Sequence, residues 1–357
     1  MASEKYLQAN DLCEWLAALG RERRVLVPVE EGDSVVFKPL TADRKMITTV
    51  DATVSPKAAI FPSCRELFRF EQAKDPNDAE RSTLKLLPNV QQEPTLVFGT
   101  RPCGARGFLI FDRVYQGGKF SDPYYRAARE NTLFVTLACE RTNNACFCHW
   151  VGGGPGDPTG SDVLLTAVDG GYVVQAVTER GETLLDSPLL SRDEGKSQEA
   201  VAARAMVAQS LGRAPDIGKI GESLLAIFND LGFWEEMSEK CIKCGACTYL
   251  CPTCYCFNIT DEARGLSGKR LRSWDTCMSY QFTLEASGHN PRPTKAHRLR
   301  NRVGHKFSYY PSLHDGLLAC CGCGRCIRKC PASVDIREIV LRAIERAGDR
   351  MQEMSDD

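Results

Sequence analysis

An α/β domain joined through helices to a smaller, cysteine-wrapped α+β domain is the fold class the sequence predicts, and three observations predict it. Two apolar runs, TLVFG from Thr95 and NTLFVTLA from Asn131, bracket a helical segment, ARGFLIFDRVY. That β-α-β order requires a parallel strand pair with a one-sided crossover. Residues 186–235 carry helical periodicity, and the spacing C-x2-C-x2-C-x3-C-P then occurs twice, at Cys241–Pro252 and Cys320–Pro331. In such a run three thiolates wrap one [4Fe–4S] cluster while the fourth reaches another. The expectation is an α/β N-terminal domain with a partly parallel sheet (1–185), a helical connector (186–235) and a two-[4Fe–4S] bacterial ferredoxin-like α+β domain (236–345). A long insertion (257–319) divides the last, and 346–357 form a C-terminal tail.

The spacing sets the partition. Cys241, Cys244, Cys247 and Cys330 would hold one [4Fe–4S] cluster, and Cys320, Cys323, Cys326 and Cys251 the other; Cys321 stands outside. Zinc ribbons place two C-x2-C pairs across a long loop, whereas here four cysteines fall in one short run, twice. A disulfide framework needs an oxidising compartment, and no apolar signal segment opens the chain. Eighteen cysteines without such a segment or a membrane-length apolar run imply the reduced cytoplasm and an anaerobic or microaerobic setting. The formal net charge of −1 gives no overall field for nucleic acid or anionic membrane.

From the start, Leu12, Trp15, Leu16 and Leu19 share a helical face that Gly20 stops, with Cys13 expected to be a packed thiol. Arg24–Val29 and Ser34–Lys38 read as a hairpin around EEGD. A charged, proline-containing stretch leads to FPSCRELFRF, where the lone Cys64 reads as structural. After TLVFG, RPCG is expected as a tight loop. Cys103 and Cys139 then follow the two parallel strands at the sheet's carboxyl edge, where open α/β sheets bind ligands, and CFC brings Cys146 and Cys148 toward them. A third [4Fe–4S] cluster on Cys103, Cys139, Cys146 and Cys148 is the expectation, with buried thiols or a zinc site as alternatives. WVGGGPGDPTG lacks the strand-to-helix context of a dinucleotide loop and reads as a glycine loop shaping this site. Asp162–Val168 and Tyr172–Val177 form a hairpin around DGG.

In the connector Ile220, Leu224, Ile227, Phe228 and Leu231 form one helical stripe ended by Gly232, a packing pattern. The insertion carries ten basic residues between Arg264 and Lys306 against Asp275 and Glu285. Interleaved aromatics for nucleic-acid stacking are missing, so cluster and partner electrostatics are the better reading, with a solvated face as the alternative. Cys254, Cys256 and Cys277 read as packing or supporting thiols near the clusters, with a further metal site shared with Cys321 as the alternative, and the histidines show no ligand spacing.

With CIKCGACTYLCPTCYCF, WDTC, ASGHNPRP, NRVGHKF and CCGCGRCIRKCPASVDIREI in one order, the chain resembles the iron–sulfur beta subunits of cytoplasmic sulfhydrogenases, a family that also includes the iron–sulfur subunit of anaerobic sulfite reductase. FGTRPCGARG, DPYYRAARENTLFVTLAC and CFC extend the likeness through the N-terminal half. Related subunits occur in flavin oxidoreductases beside heterodisulfide reductase. Gly104, where the family has an acidic residue, and Cys64 and Cys321, which look like additions, depart from the pattern. The resemblance implies an electron relay between a flavin- and NAD(P)H-binding subunit and a terminal catalytic subunit of hydrogenase, sulfite reductase or heterodisulfide reductase type. Several clusters without a substrate-pocket motif agree with a wire. The competing hypothesis has the N-terminal cysteine site itself reduce a sulfur compound; a metal-bound nucleic-acid module would rest on the basic insertion alone.

Overall fold

Fully apolar runs and alternating charged runs both form strands here, and they end in different sheets. This computed structural model describes residues 3–90 and 92–356. The chain opens with β1 (Glu4–Gln8), α1 (Leu12–Leu19), β2 (Arg24–Glu31) and β3 (Ser34–Pro39), followed by a long hairpin, β4 (Cys64–Asp75) and β5 (Asp78–Pro88). Next come β6 (Thr95–Thr100), α2 (Pro102–Tyr115), α3 (Pro123–Glu130) and β7 (Thr132–Leu137). β8 (Val163–Val168), β9 (Gly171–Ala176), α4 (Glu179–Glu182) and β10 (Leu190–Ser191) complete the first sheet's part of the chain.

The expected mixed sheet has the order β10-β1-β9-β8-β7-β6-β2-β3, with β2, β6, β7 and β8 parallel and the remaining pairs antiparallel. β6 and β7 are buried at every position, as strands covered on both faces must be. Leu96, Phe98, Leu133 and Val135 point to the α1 side, onto Trp15 and Leu16; the alternate positions Val97 and Phe134 meet Phe108, Phe111 and Tyr125 of α2 and α3. Asp122 caps α3 by accepting the amides of Tyr124 and Tyr125 at 2.8 and 2.9 Å.

Three local expectations change. RPCG is not a tight loop: Pro102 opens α2, because proline fixes a helical φ and needs no amide donor at the first position, so Cys103 lies in the first helical turn. Cys13 is exposed rather than packed, since it lies off the Leu12–Trp15–Leu16 face of α1. The connector forms α5 (Glu194–Gln209), α6 (Ile220–Ala226) and α7 (Leu231–Ser238). Ile220, Leu224 and Ile227 are buried as one stripe, but the helix breaks after them. Asp230 caps α7 through the Phe233 amide at 3.1 Å, which puts Gly232 inside a helix rather than at the end of one.

The C-terminal half contains α8 (Ala246–Tyr249), the hairpin β11 (Phe257–Arg264) and β12 (Ser267–Trp274), α9 (Lys295–Gly304), a π-helical turn (His305–Tyr309), α10 (Tyr310–Leu313), α11 (Arg325–Arg328) and α12 (Ile336–Asp356). α12 continues through the segment expected as a tail. β12 pairs with β4, giving an antiparallel sheet β11-β12-β4-β5 that stitches the insertion to the N-terminal half. Arg272 of β12 is buried, donates to Asp122 Oδ2 at 2.6 Å and lies over the Phe61 ring. Another core, built on Phe147, Leu224, Trp234, Met278, Val303, Phe307 and Val340, binds connector, insertion and α12 to the CFC segment.

Candidate iron–sulfur centres

The two cysteine runs fold alike. Lys243 and Gly322 both take a φ of 63°, and Gly245 and Gly324 take 75° and 68°. Each of the latter two opens a four-residue helix, α8 or α11. Such left-handed turns bend the backbone around its own cysteines. Cys241, Cys244 and Cys247 line one cavity, and Cys330 of the other run joins them there, against an apolar wall that includes Met278, Leu299 and Ile336. Reciprocally, Cys251 lies close enough to Cys320, Cys323 and Cys326 to act electrostatically on all three.

Backbone amides point at these sulfurs. Val334 N donates to Cys330 Sγ at 3.3 Å and Thr253 N to Cys251 Sγ at 3.4 Å. Among the described residues no three His, Cys, Asp or Glu side chains converge on a single-ion site; the cysteines of the first group ring a cavity instead. Thiols in fours, apolar walls and N–H···S bonds are the donor chemistry that suits a [4Fe–4S] cluster.

Much of the insertion's basic charge is buried. Arg272, Arg298, Arg302 and Lys306 are each at most 5 % exposed, so these four do not belong to a solvated face. Lys306 Nζ donates to Cys251 Sγ at 3.5 Å, to Thr253 Oγ1 at 2.8 Å and to Ala319 O at 2.8 Å. Burial opposes its charge, yet Cys251, Cys254 and Cys320 hold its pKa well above the ordinary lysine value. Arg302 Nη2 donates to Cys247 O at 3.2 Å. Buried Lys57 donates to Thr248 O at 3.3 Å and Cys254 O at 3.0 Å and sits over the Trp274 ring. Arg325, inside the second run, donates to Ala52 O at 3.1 Å. A hydrogen bond from Cys321, aided by Arg325, draws the Cys323 thiol down to about 6.

The N-terminal cysteines also converge. Cys103 follows β6 in the first turn of α2, Cys139 lies just beyond β7, and Cys148 opens a 3-10 turn, Cys148–Val151. Burial pushes Cys139 up to about 12 and Cys148 up to about 11, and holds Cys103 well above the ordinary thiol value, with neighbouring thiols of the same group adding to each. Asn143 N donates to Cys146 Sγ at 3.5 Å. The glycine loop lies against the group: Cys139 N donates to Pro155 O at 2.8 Å and Gly153 N to Cys148 O at 3.0 Å. Arg101, buried, ties the carboxyl edge together by donating to Ala138 O, Thr48 O and Asp51 Oδ1 at 3.1, 2.6 and 3.1 Å.

Sequence alone does not mark Lys57, Arg302, Lys306 and Arg325 as site residues. Arg298, Arg302 and Lys306 recur at a spacing of four beside Leu299, Val303 and Phe307. Cations on that period within an apolar stripe are the available signal for burial.

Comparison with known proteins supports the iron–sulfur reading of the C-terminal cysteine runs. A 4Fe-4S dicluster domain family matches residues 240–334, so the C-terminal region is a ferredoxin-type iron–sulfur domain. Over 333 residues, covering 90% of this chain and 92% of its relative, the sequence is 27% identical to sulfhydrogenase 2 subunit beta of Pyrococcus furiosus. The chain is thus an iron–sulfur electron-transfer protein related to sulfhydrogenase beta subunits, as its motifs indicated. No solved structure matches it. No described helix is long and apolar enough to cross a membrane.

Proposed function

We propose that this chain is a cytoplasmic relay subunit of a multisubunit oxidoreductase, passing electrons between a flavin- and NAD(P)H-binding subunit and a terminal catalytic subunit of hydrogenase, sulfite reductase or heterodisulfide reductase type. Cys241, Cys244, Cys247 and Cys330 hold one [4Fe–4S] cluster, Cys251, Cys320, Cys323 and Cys326 a second, and Cys103, Cys139, Cys146 and Cys148 a third. When bound, such clusters accept and release single electrons.

The contiguity of the three cysteine groups carries this reading. Cys326 borders the first cavity while belonging to the second group. Gly322 of the second group abuts the Cys148 backbone of the third so closely that a Cβ would fall 2.4 Å from Cys148 Cα. The chain's own side chains set charge and access. Lys306 and Arg302 offset thiolate charge, and the walls of Met278, Leu299 and Ile336 limit water at the first group.

Iron and acid-labile sulfide in anaerobically purified protein test the assignment. About twelve irons per chain are expected, falling to about eight in Cys139→Ser. About eight in the unsubstituted protein would remove the N-terminal group from the path.

A further inference from the structure

Three thiols remain outside the cluster assignments on the wall of a separate cavity of about 470 Å³: Cys254, Cys256 and Cys277. Cys256 and Cys277 line it together, with Cys256 close enough to act electrostatically on Cys277, although 21 positions separate them in sequence. The backbone sets the pair, since Asp275 N donates to Cys256 O at 2.9 Å. Cys277 is buried and Cys256 is partly exposed, the arrangement of one thiol that meets a reagent and one that stands behind it. The amide of Cys254, next along, donates to the carbonyl of Cys251 at 3.5 Å.

The cavity has a charge preference. Arg292, Arg302, His305 and Lys306 line it, and no aspartate or glutamate does. The guanidinium of Arg292 has no hydrogen-bond or ion-pair partner among the described residues, and the buried Arg302 has an unpartnered Nε. Phe282 and Tyr309 add aromatic surface. The π-helical turn His305–Tyr309 supplies three of the lining residues, and π-turns within helices concentrate at functional sites. Gly304 makes room for it, because a Cβ there would lie 2.5 Å from the Tyr309 ring.

We propose that Cys256 and Cys277 form a redox-active dithiol that reduces an anionic, low-molecular-weight organic disulfide bound in this cavity. The Cys256 sulfur attacks one sulfur of the disulfide, forming a mixed disulfide and expelling the first thiolate. Cys277 then attacks the Cys256 sulfur, expelling the second thiolate and closing a Cys256–Cys277 bridge. Two thiol protons pass to the two departing thiolates, and the two electrons the substrate gains are those the dithiol loses. Arg292 and Arg302 recognise the carboxylates or other anionic groups of the substrate, while Phe282 and Tyr309 cover its apolar parts. Cys254, beside Cys251, places the pair next to the second cysteine group; the reading of that group as a cluster site supplies the electrons that reduce the bridge again.

Glutathione disulfide added anaerobically to the full chain, followed by peptide mass spectrometry, tests this. The expected product is the Cys256–Cys277 bridge. It should be absent in Cys256→Ser, with glutathione trapped on Cys256 in Cys277→Ser, and should form about tenfold more slowly in Arg292→Ala. Glutathione appearing on the exposed Cys13 or Cys64 without the bridge would overturn the proposal. So would equally fast bridging by neutral bis(2-hydroxyethyl) disulfide, which the cationic wall has no means to select.

Discussion

The amide of Phe147 donates to the carbonyl of Gly322 at 3.0 Å, so the CFC segment and the second cysteine run share a backbone hydrogen bond across half the chain. Gly322 has a φ of 63°, and a Cβ there would lie 2.4 Å from both Cα and N of Cys148. Gly322→Ala therefore meets backbone strain and a backbone clash together. The expected result is a loss of at least about 2 kcal/mol in unfolding free energy, read by denaturant titration, together with iron loss from the N-terminal group.

Lys306→Met removes a buried positive charge 3.5 Å from the Cys251 sulfur. Positive charge favours the reduced, more negative state of a cluster. The potential of the centre containing Cys251 should fall, on the order of tens of millivolts. Redox titration followed by electron paramagnetic resonance checks it, with an unchanged potential as the contrary result.

Cys330→Ser places its effect away from its own run. Cys330 lines the cavity of Cys241, Cys244 and Cys247, so the signal of that centre should weaken or convert while the one bounded by Cys320 and Cys323 persists. Mössbauer spectra of the two proteins distinguish this from loss at the second run.

Asp122 caps α3 and pairs with the buried Arg272 at 2.6 Å. Asp122→Ala removes a cap worth about 1 kcal/mol and leaves a buried guanidinium without its carboxylate, so a total near 3 kcal/mol or more is expected. Arg272→Met in the same protein should restore part of it, which thermal melts of the single and double variants would show.

His305 is half-buried beside Lys306 and Arg292, and desolvation first, with those charges, lowers its pKa to about 4. Its folded-state value lies below its unfolded one, so the unfolded chain binds the proton first as pH falls. Stability is full above about pH 6.5 and declines toward pH 4, by no more than about 3 kcal/mol from this group. His305→Gln should flatten that part of the stability curve; superimposable curves would contradict the assignment.

Where neighbours in sequence are neighbours in space, the chain is readable. The Thr95–Leu137 unit is a local crossover, and the cysteine runs bend at Lys243, Gly245, Gly322 and Gly324, which lie between their own ligands. The hairpin β4–β5 is not legible in the same way, because alternation in CRELFRFEQAKD is mostly charged, and its strand state is completed by β12, about two hundred residues away. Arg302 and Lys306 register in the sequence as basic charge on a helical period within an apolar stripe, but the thiols that hold their charge are brought in from elsewhere in the fold. For Cys13 and Gly232 residue type misleads, because helical phase and the Asp230 cap decide their surroundings.

The exchange of Cys330 into the first run's cavity also bears on biosynthesis. A nascent chain that has emerged through Cys251 has displayed three of the thiols ringing that cavity, and the fourth arrives only after the whole insertion has been translated. Metal loading that needs all four must follow synthesis of nearly the entire polypeptide, which makes cofactor insertion a late quality checkpoint on an already folding chain.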